Sequence, residues 1–511
     1  MKALFDKGLW PPCPDPFNFT AHVLDRAGDL PDKIALAVLG PSKAERWSYA
    51  KLEAAVRGTG TGLLQAGLKP GDIVLMRLGN TVEFPIAYLG AMAVGLVPVP
   101  TSSQLTAREV AAMIETLAPK AVLRADGIAC PDDPGCPVIG EAELTAMRDL
   151  PPCDWHMDDP NRPAYIIYTS GTSGKPQAVC HAHRAIWARG MMHEGWYALH
   201  EDDRLCHAGA FNWTYTLGTG LMDPWSVGAT ALIPAPGTDA DQLPLLLKRH
   251  DATIFAAVPG VYRKILSQSD KIDLPKLRHG LSAGEKLSEA IRHRWNDATG
   301  TKIYEAFGMS ECSTFISANP SAPARPGTLG QPQIGRRVAI IDPDTGAPVN
   351  IGEDGVIAIS NRDPGLMLGY WGDEAQTKAR FRGEWFLTGD AAEMGEDYQI
   401  TYHARTGDMM NAGGYRVSPL EVEAVLQGFE GLREVGVTDV EVKADASVIA
   451  AFYVSDAPLD EAALNAFAGE RLARYKQPRI WMRVDDLPRN PNGKMQRKRL
   501  KDIFAARKEA C

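Results

Sequence analysis

Short apolar runs rich in β-branched and aromatic residues alternate with amphipathic stretches of helical period through most of this chain, and that rhythm restricts the fold more than any other feature. "GDIVLMRLG", "PKAVLRA", "PAYIIYT", "TALIPA" and "ATIFAAVP" read as strands, while "YAKLEAAVRGTGTGLLQAG" and "AREVAAMIETLA" read as helices. Such alternation implies an α/β chain with largely parallel sheets. From about Gly327 to Asp390 the pattern changes to short strands separated by Gly, Pro and Asp turns, as in "AIIDPDTGAPVNIGEDGVIAIS", and implies a barrel-like or antiparallel subdomain. Beyond Arg405 a smaller α+β unit begins. It holds "SPLEVEAVLQGF", with Ser418 as N-cap and Pro419 at the first helical position, then the strand-like "SVIAAFYVS" and the helix "DEAALNAFAGERLA". Two domains are expected, a large one over 1–405 and a small one over 406–511.

Composition closes off several classes. With 511 residues, 45% hydrophobic and 23% charged, the chain has ordinary soluble composition and length for more than one core. The 54 basic against 63 acidic residues give a net charge of −9, which argues against wrapping nucleic acid and leaves any polyanion to be met locally. The eight cysteines form no CxxC pair and no Cys/His group at zinc spacing, so reduced thiols in a cytoplasmic protein are expected. "HAH" at His181 and His183 lacks a third ligand at sensible spacing; these are read as structural histidines, with no transition metal. The longest apolar stretch, "GAMAVGLVPVP", is short and broken by Gly and Pro, so neither a signal peptide nor a membrane span is expected.

The stretch "YIIYTSGTSGKPQAVCHAH" runs from an apolar strand into hydroxyls and glycines and then toward a helix. Glycines let backbone amides turn inward and Ser/Thr hydroxyls add donors, a combination suited to phosphate oxygens. It is not a Walker loop, because Gly171 and Gly174 enclose two residues rather than four and Pro176 follows Lys175. On these residues alone, a phosphate loop and a Ser/Gly surface linker are about equally supported. In "FGMSE" a hydroxyl and a carboxylate sit side by side, suited to a magnesium-bound triphosphate, although a helix N-terminus with Ser and Glu is the commoner origin of such a pair.

The loop resembles the phosphate-loop signature of the AMP-forming adenylating enzymes, which comprise acyl-CoA synthetases, peptide-synthetase adenylation domains and luciferases. Further stretches match that family in order over most of the chain: "SAGEKL", "YEAFGMSECS", "WFLTGD", "RTGDMMNAGGYRVSPLEVE" and "PRNPNGKMQRKRL". Among its branches the chain is similar to aryl- and medium-chain acyl-CoA ligases through "LMDPWSVGATALI" and "FRGEWFLTGD". The resemblance implies a large N-terminal domain of α/β sheets with a β-barrel-like subdomain, and a small mobile C-terminal domain.

It also implies roles. Thr169, Ser170, Gly171, Thr172, Ser173 and Gly174 would hold the phosphates of ATP, with Ser310 on a phosphate oxygen and Glu311 on Mg2+. Gly284, Glu285, Glu305, Ala306, Phe307 and Tyr402 would surround the adenine, Asp390 would bind the ribose hydroxyls, and Arg405 would lie near the ribose or phosphates. Lys494 reads from composition as one charge of a solvated basic tail; the resemblance makes it the lysine that meets the carboxylate and α-phosphate during adenylation. Gly413, Gly414 and Tyr415 would face the pantetheine arm of coenzyme A, Arg416 would contact phosphate, and Gly407 would be the hinge where relatives carry Asp or Lys. The family's Lys-Gly after the loop proline is here Gln177-Ala178, with Lys175 as a neighbouring substitute. The acid pocket would be formed by Trp213, Thr214, Tyr215, Gly308 and Thr314, with Gly308 standing where acetate-specific relatives carry a tryptophan that closes the pocket.

The expected activity is a carboxylic acid:CoA ligase that forms AMP, with ATP, Mg2+ and coenzyme A, on a small to medium aliphatic, cyclic or aromatic acid. Neither nucleic acid nor membrane is an expected partner, and a homodimer is left open. Rival readings are an adenylation enzyme that loads a carrier protein in trans, a luciferase-type oxygenase, and a nucleotide-binding relative that has lost catalysis. Retention of Glu311, Asp390, Arg405 and Lys494 speaks against the last.

Overall fold

The computed structural model describes the chain apart from residues 170–175, 285–286, 288, 406–409, 413–414, 418, 444–445, 489–494 and 510–511. The strand and helix runs read above form where expected. Ile73–Arg77 lies between Val97–Pro100 and Ala121–Arg124 in a four-stranded sheet that Val138–Gly140 completes, all parallel. A nine-stranded sheet carries Ile34–Leu39, Thr230–Pro234, Arg204–His207, Ile254–Ala256, His279–Ala283 and Lys302–Met309 in parallel, with antiparallel strands at both ends. Both faces are covered, which is why these strands read as continuous apolar runs rather than as alternation. The helix Ala107–Leu117 opens with a capping box, Thr106 accepting from the Glu109 amide while the Glu109 carboxylate accepts from the Thr106 amide.

The turn-rich region forms an antiparallel sheet that, among the described residues, does not close. Its order runs Leu4–Asp6, Arg337–Ile341, Gly355–Ser360, Trp385–Met394 and Phe381–Arg382, with Ile400–Arg405 also on Trp385–Met394. The barrel-like expectation is therefore corrected to the antiparallel alternative. One edge is the three-residue strand Leu4–Asp6, and the other is shared by the two-residue Phe381–Arg382 and by Ile400–Arg405, neither of which pairs with Leu4–Asp6.

The C-terminal unit has its own core, in which Met410, Val417, Val422, Leu426, Val437, Ile449 and Leu464 pack together. The helices Pro419–Leu426 and Glu461–Arg471 and the strand Ala446–Val454 form where the sequence indicates, Asp460 caps the second helix, and Glu434–Lys443 is a further strand that the sequence reading did not name. Ser418 lies outside the described residues. Among the described residues no helix is long and apolar enough to cross a membrane.

Candidate active site

The strand Pro163–Thr169 pairs antiparallel with Gln177–Ala182, Thr169 opposite Gln177, so the Ser/Gly loop joins two strands. The sequence reading had a helix directly after it; that helix, Arg184–Met192, starts only after the second strand. "QAVCHA" is extended because it has partners on both sides, Pro163–Thr169 and Gly369–Tyr370. Thr169 and Gln177 both line the cavity described next.

The stretch "FGMSE" is also not a helix start. Lys302–Met309 turns at Ser310 and Glu311 into Ser313–Ser317, and the two strands pair antiparallel with a register shift between Phe307 and Gly308. Beneath this turn, buried His181 donates from Nε2 to the Ser310 carbonyl oxygen at 2.7 Å and stacks on Tyr165. Burial pulls its pKa down to about 4, so the ring is neutral at pH 7 and acts as a fixed donor. His183, by contrast, accepts the Phe19 amide at Nδ1, and the two histidines share no site. Among the described residues no group of three or more His, Cys, Asp or Glu could hold a metal ion.

A single cavity of about 690 Å³ gathers most of the expected site. Thr169, Gly284, Glu305, Ala306, Phe307, Ser310, Glu311 and Tyr402 line it from the nucleotide side, Trp213, Thr214, Tyr215, Gly308 and Thr314 from the acid side, and Tyr415 from the C-terminal unit. Phe307 and Tyr402 bring their rings to 5.8 Å, which makes one aromatic wall. Glu311 accepts from Tyr370 Oη at 2.8 Å, a contact that orients the carboxylate in the cavity wall. Glu305 is a nearly fully buried part of the wall. Its carboxylate accepts from Arg292 and from the Leu287 amide, in the segment after His279–Ala283. Gly284 in that segment has φ +89, a backbone that favours glycine, while a Cβ there would make only ordinary contacts with Val258 and Trp213.

Trp213 meets Tyr215 edge to face at 5.3 Å and faces Tyr415 at 6.4 Å. Thr314 turns its hydroxyl hydrogen to the Met192 sulfur, so it offers the pocket less than expected. Gly308 lines the cavity, and a Cβ there would also collide with the Ser313 carbonyl oxygen and Thr314 Cα, so the neighbouring strand demands the missing side chain as well.

Asp390 is fully buried and is not among the residues that line this cavity; it shares the inward face of Trp385–Met394 with Phe386, Thr388, Ala392 and Met394. It stands opposite Arg405 in the register. Ser170, Gly171, Thr172, Ser173, Gly174, Lys175, Glu285, Gly407, Gly413, Gly414 and Lys494 lie outside the described residues, as do the side chains of Arg405 and Arg416.

Sequence reasoning missed a polar cluster in the same wall. Arg189, on Arg184–Met192, is held by Asp223, which follows the π-helical segment Thr216–Met222, and by Tyr197 at the end of a second π-helical segment, His193–Tyr197. Burial alone would push the Asp223 carboxyl up; Arg189 and His193 more than reverse that and hold it below the usual value. The available signal was a charge inside each of two apolar runs, "AIWARGMM" and "GLMDPWS".

This fold and site define an adenylate-forming type of enzyme. Residues 24–371 match the family model of AMP-binding enzymes and residues 421–494 that of the AMP-binding enzyme C-terminal domain, so the chain belongs to the AMP-binding enzyme family. It is 28% identical to 3-hydroxybenzoate–CoA ligase of Aromatoleum sp. (strain CIB), over 92% of this chain and 94% of that one. It is 29% identical to benzoate–CoA ligase of Thauera aromatica, over 90% and 91%. Among solved structures, a benzoate CoA ligase from Burkholderia xenovorans LB400 aligns with TM-score 0.70 and 28% identity over 95% of this chain and 100% of that one.

Proposed function

We propose that this enzyme is an AMP-forming carboxylic acid:CoA ligase for a small to medium monocarboxylic acid, aliphatic, cyclic or aromatic. The observation that supports this best is the union in one cavity of the Gly284, Phe307 and Tyr402 wall, the Ser310–Glu311 turn, the Trp213 and Tyr215 wall, and Tyr415 of the C-terminal unit. The similar ligases act on benzoate and 3-hydroxybenzoate, which favours coenzyme A as thiol and a compact acid.

ATP places its adenine against the aromatic faces and its phosphates between Thr169 and Ser310. The substrate carboxylate attacks the α-phosphorus, pyrophosphate leaves, and an acyl adenylate forms. An anion has to approach a polyanion, and Lys494 with the amides and hydroxyls of 169–174 offsets that repulsion by preorganised charge and dipoles. The Glu311 carboxylate fits a hard cation completed by phosphate oxygens and water, as Mg2+ prefers. When bound, Mg2+ supplies charge neutralisation at the triphosphate. The thiol sulfur of coenzyme A then attacks the acyl carbon, AMP leaves, and the thiol proton passes to solvent. By resemblance Gly413, Gly414 and Tyr415 are assigned to the pantetheine approach, Arg416 to phosphate, Arg405 to the ribose side with Asp390 opposite it in the strand register, and Gly407 to the pivot between the domains 1–405 and 406–511. The protein is cytoplasmic in this reading, and a homodimer is compatible with it.

The test is acid-dependent pyrophosphate release over a panel of carboxylic acids with and without coenzyme A. Thioester formation is expected for compact acids, with acetate and long-chain acids poor; adenylate without thioester would point to a carrier protein as acceptor. Lys494→Ala is expected to lower pyrophosphate release by about 10²-fold or more while sparing thioester formation from pre-made adenylate. Equal damage to both steps would remove the role assigned to Lys494.

A further inference from the structure

We propose that the acid pocket selects a carboxylic acid bearing a second, uncharged oxygen, a hydroxyl or a carbonyl, and that Arg189 and Ser313 are the residues that select it. This rests on the reading of the cavity as an acid pocket. Both residues line the cavity next to Thr314, with Gly218 and Thr219 beside them. A guanidinium in a largely apolar wall is costly unless it is paired and hydrogen-bonded. Here the pairing is nearly complete. Nε donates to Asp223 Oδ1 at 2.8 Å and Nη2 to Oδ2 at 2.5 Å, Nη2 reaches Tyr197 Oη at 3.3 Å, and Nη1 donates to Ser313 Oγ at 2.5 Å. Tyr197 in turn donates to Asp223 Oδ2 at 2.7 Å.

Two hydrogens are left over. A guanidinium carries five N–H groups, and the four contacts above leave one on Nη1. Ser313 Oγ accepts from Arg189 and so retains its own hydroxyl hydrogen to donate. The adjoining donors thus offer a ligand a place for an acceptor oxygen. The charge balance decides which kind. Arg189 and Asp223 cancel, the side chains being 12% and 0% exposed, and His193 Nε2 also lies 3.9 Å from Asp223 Oδ1; a second carboxylate would enter a buried place whose one guanidinium is already paired. A hydroxyl or carbonyl brings no charge.

The arrangement is built rather than incidental. Ser313 holds φ +61, a left-handed conformation that a residue with a side chain seldom adopts and that accompanies functional sites. Gly218 leaves the room that the guanidinium fills, since a Cβ there would meet all three of its terminal atoms.

The experiment compares kcat/KM for acid-dependent pyrophosphate release by the full-length enzyme on matched acids. Benzoate is set against the three hydroxybenzoates, cyclohexanecarboxylate against its hydroxy and oxo derivatives, and isophthalate serves as the dicarboxylate. The best oxygenated acid is expected to exceed its plain counterpart by about 10- to 100-fold, with isophthalate poor. Ser313→Gly removes the hydroxyl while relieving the left-handed backbone, and is expected to cut that ratio by about tenfold. The double variant Arg189→Met with Asp223→Asn leaves no buried charge unpaired and should bring the ratio close to one. A wild-type ratio near one, equal loss on both members of a pair in Ser313→Gly, or isophthalate as the best acid would each overturn the proposal. Failure to activate any acid would instead overturn the ligase reading on which it rests.

Discussion

Gly308 is where resemblance and packing diverge most at the scale of one residue. The motif position implies that a missing tryptophan opens the pocket, yet the register shift beside Gly308 brings the Ser313 and Thr314 backbone against its Cα. Any side chain must move a strand of the central sheet before it can resize a pocket. Gly308→Ala is therefore expected to destabilise the protein by about 1–3 kcal/mol in denaturant unfolding, the usual cost of overpacking. A loss under about 0.5 kcal/mol would show that the strand yields and would restore the pocket-sizing role.

Between elements, one carboxylate does two jobs. Glu109 caps the helix Ala107–Leu117 through Oε2, and through Oε1 it accepts from the Ala473 amide and from Lys476, both in the C-terminal unit. Lys476 is buried between Glu109 at 3.3 Å and Glu421 at 2.7 Å. Burial works against its charge, but the Tyr475 hydroxyl and the two carboxylates outweigh this and keep the ammonium above the ordinary lysine range. Tyr475 stacks at 4.0 Å on Tyr415, which closes the cavity against Trp213, so this contact ties the Tyr415 face to the large domain. Met495, next to Lys494, packs instead in the cluster of Val440 and Phe452. By resemblance the Tyr415 face serves thioester formation. Glu109→Gln is then expected to slow thioester formation from pre-made acyl adenylate by about tenfold, the worth of one charge-assisted hydrogen bond, with a smaller effect on pyrophosphate release. Equal slowing of both half-reactions would mean that the contact does not bias the orientation.

At the scale of the whole molecule, burial holds the pKa of several described histidines down, His22, His181 and His279 at about 4 and His183 and His207 at about 3. Unfolded, each titrates near 6.5. The folded values are the lower ones, so the unfolded chain takes up protons that the native state refuses as pH falls below about 6.5. Stability is complete above that pH and is lost on going down toward 4, by about 1.4 kcal/mol per pH unit for each histidine that titrates only when unfolded. The urea midpoint is expected to be clearly lower at pH 5 than at pH 7. An unchanged midpoint would show that these rings find protons or partners in the native state.

Local periodicity and turn chemistry act between near neighbours, and they sufficed for the parallel α/β core, the helices Ala107–Leu117 and Glu461–Arg471, and the pairing of Ser310 with Glu311 in one motif. The ordered motifs likewise marked Phe307, Tyr402, Trp213 and Tyr415, which the fold gathers in one cavity. What required the tertiary structure depends on contacts between distant segments. "QAVCHA" became a strand because Gly369–Tyr370 supplies its second edge, and one edge of the turn-rich sheet is Leu4–Asp6, from the start of the chain. Arg189 and Asp223 stand 34 positions apart and Arg189 and Ser313 124 apart, so no spacing in the sequence joins them. A buried charge announces that it has a partner, but only packing decides which one, because desolvation is local to the folded site while the chain path that brings the partner there is not.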